Sequence, residues 1–239
     1  MGLMLFPEGW MRELKKYKYG TPVRAVLWDL DGVLIDSEPG YYKAIGNMMR
    51  SLGYPYGERE AAMIKGTSYK NVAQILALHE PPEEIRERYI DALMSSVRDD
   101  VSGLIDGVTL YLDRLQAMGI KMAIGSSSPR LLVDFVVEKF GLSKWICGIV
   151  TGCDKEKGKP FPDIYLECAR LLDMNPEACL VIEDSANGIL SGKKAGMCVC
   201  AFTGTNPKGF DLSGADFAIH EYTLASFRTV AEIMNWRQS

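Results

Sequence analysis

The chain has 239 residues, 47% of them apolar and 24% charged, with a net charge of −4. That is ordinary globular composition, long enough for one large domain or two small ones. It excludes a general affinity for nucleic acid, and no apolar run is long enough to span a bilayer. Residues 1–20 read as an N-terminal extension. They lack a signal-peptide plan, because the basic cluster Arg12, Lys15, Lys16 and Lys18 follows the apolar residues. A short helix over 8–18 and a simple tail are the two alternatives there. The first strand is predicted over 23–28, an apolar run that ends at Asp29-Leu30-Asp31-Gly32-Val33. Two carboxylates at i and i+2 after such a strand stand at the carboxyl end of a sheet, where open α/β sheets bind ligands. The Asp29 side chain and the Asp31 main chain suit a shared Mg²⁺, leaving the Asp31 carboxyl for acid/base work. A plain turn is the competing reading of Asp-x-Asp-Gly.

Residues 38–103 have a different texture. Helices are predicted over 38–52, 58–64, 69–78 and 82–97, with Pro55 and Pro81-Pro82 as breakers and no strand between them. From 106 onward, helices (107–118, 129–140, 162–172, 185–195) alternate with strands (121–125, 148–151, 179–183, 197–201). A short strand over 217–219 and a closing helix over 224–235 follow. This alternation predicts a Rossmann-like, doubly wound, mostly parallel sheet with a small all-helical insert after its first strand. The core is expected over 21–37 and 104–239 and the cap over 38–103, with hinges near 36–39 and 102–107. The six cysteines, at 147, 153, 168, 179, 198 and 200, contain no Cys-x-x-Cys pair. They read as reduced thiols, which implies a cytoplasmic protein.

Three more predicted strand ends carry polar groups. Gly125-Ser126-Ser127-Ser128-Pro129-Arg130 offers hydroxyls and backbone N–H groups to a phosphate. The competing reading makes Ser128 an N-cap with Pro129 at the first helical position. Gly158-Lys159-Pro160-Phe161-Pro162-Asp163 holds an ammonium in a stiff turn. Val181-Ile182-Glu183-Asp184-Ser185 supplies two acids, with Asp184 suited to complete a Mg²⁺ site and Glu183 to act through water or from behind it. Each feature has an ordinary structural explanation, but together they supply what one phosphoryl-transfer site needs.

On these residues the chain resembles the haloacid dehalogenase superfamily, in its phosphatase/phosphoglucomutase-like branch. Asp29 through Pro39 looks like the first family motif and Ser126 like the second. Lys159 within Gly-Lys-Pro-x-Pro-Asp looks like the third, and Glu183-Asp184-Ser185 with Gly188-Ile189 like the fourth. The likeness spans about residues 22–235. It implies Asp29 as nucleophile, Asp31 as acid/base, Ser126 and Lys159 on the phosphoryl group, and Mg²⁺ held through Asp29, Asp31, Asp184 and Glu183. The presence of Asp31 argues against the dehalogenase branch itself.

The cap is expected to choose the substrate. Lys65-Gly66-Thr67-Ser68 resembles a cap loop, with Lys65 facing the substrate; a helix C-terminus closed by Gly66 is the competing reading. Ser127, Arg130 and Tyr41 complete the expected substrate contacts. Phosphoglucomutase-like members usually carry a His where this chain has Tyr41 and an Arg where it has Tyr69, which weakens a mutase reading. The expectation is a Mg²⁺-dependent phosphatase for a sugar or polyol phosphate, monomeric or weakly dimeric, without nucleic-acid or membrane partners. The alternatives are a β-phosphoglucomutase-like isomerase and a non-catalytic binding or regulatory protein. A phosphonate-cleaving enzyme, with Lys43 or Lys65 as Schiff-base candidates, is a weaker one.

Overall fold

A computed structural model describes residues 22–64, 72, 74–101, 103–152, 158–205 and 211–234. Its apolar runs form strands β1 (Ala25–Trp28), β2 (Lys121–Ser126), β3 (Ile146–Thr151), β4 (Cys179–Glu183), β5 (Cys198–Phe202) and β6 (Phe217–Ile219). They build one sheet in the order β3-β2-β1-β4-β5-β6, and every neighbouring pair is parallel. In β1, Ala25 stands opposite Lys121 on one side and Cys179 on the other. Successive side chains point to opposite faces. Val26 and Trp28 therefore join one core cluster and Ala25 and Leu27 the other. Burial on both faces explains why these strands read as continuous rather than alternating apolar runs.

Helices cover both faces. On one side lie α4 (Val108–Ala117), α5 (Arg130–Lys139) and α8 (Leu224–Ile233), which contribute Tyr111, Leu112, Val133, Val136, Phe227 and Val230. On the other lie α6 (Asp163–Leu171) and α7 (Ala186–Lys194), which contribute Ile164, Tyr165, Cys168 and Ile189. The expected doubly wound parallel sheet is the observed architecture. Cys168, Cys179, Cys198 and Cys200 are buried and Cys147 is exposed, and none of these five is in a disulfide.

Between β1 and α4 the chain forms α1 (Glu38–Ser51), α2 (Glu58–Ile64) and α3 (Pro82–Asp100). Ala44, Ile45, Met48 and Met49 of α1 share a cluster with Tyr89, Leu93, Met94 and Val97 of α3. Helix α3 runs to Asp100, past the expected end at 97. The expected helix over 69–78 lies partly, and the extension over 1–20 wholly, outside the described residues. Among the described residues no helix is long and apolar enough to cross a membrane.

The strand order reverses at β1. Connections run from β1 to β2 to β3 on one side, then resume at β4 on the other. A crevice opens at the carboxyl ends of the strands at such a switch point. Asp29 follows β1, Asp184 follows β4, and Lys159 lies between β3 and α6.

Candidate active site

The chain leaves β1 through a tight turn. Asp29 is 7% exposed, and its N–H donates to Ile182 O of β4 at 3.0 Å. Gly32 takes φ +76, and its N–H donates to Ile35 O at 2.8 Å. A Cβ on Gly32 would sit 1.9 Å from Asp184 Oδ2. Only glycine therefore lets the β1 turn approach the acid that follows β4.

Glu183 is fully buried and organises the centre. Its Oε1 accepts Lys159 Nζ at 2.6 Å and the Tyr165 hydroxyl at 2.9 Å. Its Oε2 accepts Asp184 N, Ser185 N and Ser185 Oγ, each at 3.0 Å. Lys159 Nζ also donates to Asp29 Oδ1 at 2.6 Å and lies 4.9 Å from the Tyr165 ring centroid. The Lys159 side chain is 5% exposed, so this is a buried ammonium shared by two carboxylates.

Charge is unevenly balanced here. Burial pushes Asp29 from 3.8 up to about 8; Lys159 opposes the shift, and Glu183 and Asp31 add to it. Burial, with Glu183 and Asp29 nearby, pushes Asp184 up to about 9. Burial alone would lower Lys159, but the Asp29 and Glu183 carboxylates outweigh it and hold the ammonium above its ordinary value. One lysine does not offset this crowd of carboxylates.

A hard cation fits that excess. Carboxylate oxygens of Asp29, Glu183 and Asp184 lie within 4.8 Å of one another, an oxygen-only set that suits a divalent ion of the Mg²⁺ type. Glu183 is already saturated by five hydrogen bonds, so Asp29 and Asp184 are the freer ligands and Glu183 orients them.

Asp31 faces hydroxyls. Its Oδ1 accepts Ser37 Oγ at 2.6 Å. Its Oδ2 accepts Ser128 Oγ at 2.6 Å and, more weakly, Ser126 Oγ at 3.5 Å. Ser126 is fully buried at the end of β2, where its Oγ accepts Ser128 N at 2.9 Å. The capping reading of Ser128 is corrected by this geometry. Pro129 occupies the N-cap of α5 without a side-chain bond, and the Ser128 hydroxyl turns to Asp31 instead.

The expected substrate contacts are scattered. Ser127 is exposed beside the site. Arg130 Nε pairs with Asp134 at 2.8 Å across one helical turn, with its side chain 56% exposed. Tyr41 is half-buried, its ring edge-on to Tyr42 at 5.5 Å and to Tyr89 at 6.2 Å. Lys43 is exposed on α1. Lys65 and Tyr69 lie outside the described residues.

The sequence reading gave no role to Ser37 and Tyr165, and it left Ser128 between a phosphate contact and a helix cap without pairing it to Asp31. Ser37 and Ser128 each precede a helix, so capping hides any other use. Tyr165 sits in the apolar stripe of α6. Its signal is physical: a buried tyrosine hydroxyl needs a partner, and the partner here is Glu183.

The carboxylates, lysine and hydroxyls at the carboxyl ends of a doubly wound sheet define a hydrolase of phosphoryl-transfer type. The chain belongs to the haloacid dehalogenase-like hydrolases, whose family model matches residues 26–202. Hexitol phosphatase B of Escherichia coli (strain K12) is 30% identical over 181 residues, covering 73% of this chain and 81% of the relative. The phosphorylated carbohydrates phosphatase of Thermotoga maritima is 30% identical over 178 residues, covering 73% and 82%. The solved β-phosphoglucomutase of Clostridium difficile shares the fold, with a TM-score of 0.75 at 24% identity over 89% of this chain and 97% of that one.

Proposed function

We propose that this chain is a Mg²⁺-dependent phosphatase for a small sugar or polyol phosphate, working through an aspartyl-phosphate on Asp29. The observation that carries this reading is the buried Asp29–Lys159–Glu183 arrangement, with Asp31 close by on the same turn. The names of the two phosphatase relatives support the carbohydrate ester as substrate class.

An Asp29 carboxylate oxygen attacks phosphorus, and the bond from phosphorus to the ester oxygen breaks. Asp31, carrying a proton, gives it to the departing alkoxide. A water then attacks the phosphorus of the acyl phosphate and passes its proton to Asp31, which frees Asp29 and inorganic phosphate. This is covalent catalysis paired with one carboxyl used first as acid and then as base. Lys159 offsets charge gathering on the phosphoryl oxygens and favours the ionised form of Asp29 against the opposing effect of burial. Glu183 and Tyr165 keep Lys159 aimed. Ser126 and exposed Ser127 supply hydroxyls at the end of β2 for the phosphoryl oxygens. Asp29, Asp184 and the Asp31 main chain would hold Mg²⁺. When bound, it neutralises the crowded carboxylates and polarises the phosphoryl group.

Residues 38–103 serve in this reading as a cap that leaves and rejoins the core beside Asp29. Tyr41 gives it an aromatic wall, suited to the apolar face of a polyol.

The test follows ³¹P signals with Mg²⁺ and a panel of sugar and polyol phosphates, using Asp29→Asn as control. Release of inorganic phosphate that the substitution lowers on the order of 10³-fold or more supports the reading. Phosphate migration without release, primed by a bisphosphate, would replace it with a mutase.

A further inference from the structure

We propose that Thr205 and Tyr222 clamp the catalytic turn and act as positioning residues for the hydrolysis proposed above, on which this inference rests. Three consecutive carbonyls of the turn each accept a bond from a different part of the chain. Gly32 O accepts Thr205 Oγ1 at 2.5 Å, and Val33 O accepts the Tyr222 hydroxyl at 3.0 Å. Leu34 O accepts Ile105 N at 2.9 Å. Thr205 follows β5, Tyr222 follows β6, and Ile105 lies where the chain returns from the inserted helices.

Tyr222 is itself gripped. Its ring stacks on Phe202 at 4.4 Å and 6° and meets the edge of Tyr111 at 4.9 Å. Its backbone oxygen lies 2.0 Å from where a Cβ of Gly107 would stand, and Gly107 takes φ +82. One residue thus touches both crossings between the sheet and the inserted helices, Val33 on the way out and Gly107 on the way back.

The turn carries Asp29 and Asp31 on its approach and presses Gly32 against Asp184. If the turn slides, Asp31 moves relative to Asp29, and the gap to Asp184 changes with it. Misplacement by about 1 Å at a reacting group costs up to about 100-fold in rate. Neither hydroxyl donor is among the groups that the proposed hydrolysis uses. Directional bonds from a stacked, buried ring suit the task of fixing that turn.

The test uses the full chain with Tyr222→Phe, Thr205→Val and the double variant; the first keeps the stacked ring and the second keeps the side-chain shape. The control is Tyr111→Phe. It removes another hydroxyl of the same aromatic cluster, bonded to Ser226 Oγ at 2.7 Å, without touching the turn. Steady-state hydrolysis is measured over a range of Mg²⁺ concentrations, and amide hydrogen exchange is followed over residues 30–36. In the double variant kcat falls about tenfold or more while substrate KM stays within about twofold. The Mg²⁺ activation constant rises, and exchange at 30–36 quickens. Tyr111→Phe leaves all of these at wild-type values. Wild-type kcat in the double variant, or an equal loss in Tyr111→Phe, overturns the clamp. Failure of the phosphatase reading looks different: the wild-type chain releases no phosphate from any ester. The exchange measurement still decides in that case, because unchanged exchange over 30–36 in the double variant overturns the clamp by itself.

Discussion

Lys159 is the residue on which the most charge depends. Its ammonium lies 2.6 Å from both Asp29 and Glu183 with 5% of its side chain exposed. Removing one partner of a buried ion pair costs about 3–5 kcal/mol, because the other charge is left uncompensated. Lys159→Met is therefore expected to lower unfolding free energy by that order in urea titrations at pH 7, and to abolish turnover as well. Unchanged stability would show that water, not Lys159, balances the two carboxylates. Asp29, Asp31, Glu183 and Asp184 were legible in sequence because they lie at the ends of apolar strands, where a charge stands out, and Lys159 was legible from its Pro-rich turn. Ser128 looked like an ordinary cap, and the Tyr165 hydroxyl was hidden in an apolar stripe. Arg130 carried a phosphate-like signal in sequence, but its guanidinium pairs with Asp134 one turn along α5.

At the scale of elements, α7 presses close against the end of β4. A Cβ on Gly188 would lie 1.7 Å from Glu183 Oε1. Glycine within a helix ordinarily costs about 1 kcal/mol relative to alanine, so Gly188→Ala would stabilise an unencumbered helix. Here the added methyl has no free space. Gly188→Ala is expected to destabilise the protein by about 1–3 kcal/mol, as overpacking does, and to reduce turnover by displacing the carboxylate that aims Lys159. Thermal unfolding and steady-state rates check both, and a raised Tm with intact rate would refute the argument. Strands 179–183 and 217–219 were legible to the residue, since apolar runs bounded by polar residues fix both ends. Helix α3 was read three residues short. The polar run Arg98-Asp99-Asp100 gave no apolar signal beyond Val97, whereas the backbone ladder continues until Val101 N–H bonds to Val97 O.

For the molecule as a whole, the crowded carboxylates link stability to pH and to metal. Asp29 and Asp184 titrate near 8 and 9 in the fold but start from 3.8. Between those limits the folded chain binds more protons than the unfolded one, so stability falls as pH rises. Their contribution is complete below about pH 4 and is lost progressively up to about pH 9. A cation competes with those protons. Mg²⁺ at about 100 times its dissociation constant adds roughly 2.7 kcal/mol, and its apparent affinity increases with pH through the same window. The expected result is a Mg²⁺-induced rise in Tm that is small at pH 5 and large at pH 8.5. A rise independent of pH would assign the metal to other ligands. The parallel core was legible because its alternation of strands and helices is regular. The contacts from Thr205 and Tyr222 to the β1 turn were not, because no local pattern encodes a bond between residues so far apart in sequence.

The central place of β1 has a consequence for how the chain reaches this state. Both neighbours of Ala25, Lys121 and Cys179, leave the ribosome long after it. At about 5–20 residues per second, β1 waits on the order of ten seconds before either edge is paired. Throughout that interval Val26, Leu27 and Trp28 form a bare apolar strand with two open edges, the kind of segment that invites association between nascent chains. The helices that follow directly in sequence are the first structure available to shield it. Helices α1 and α3, made directly after the first strand, are then expected to shield β1 during synthesis.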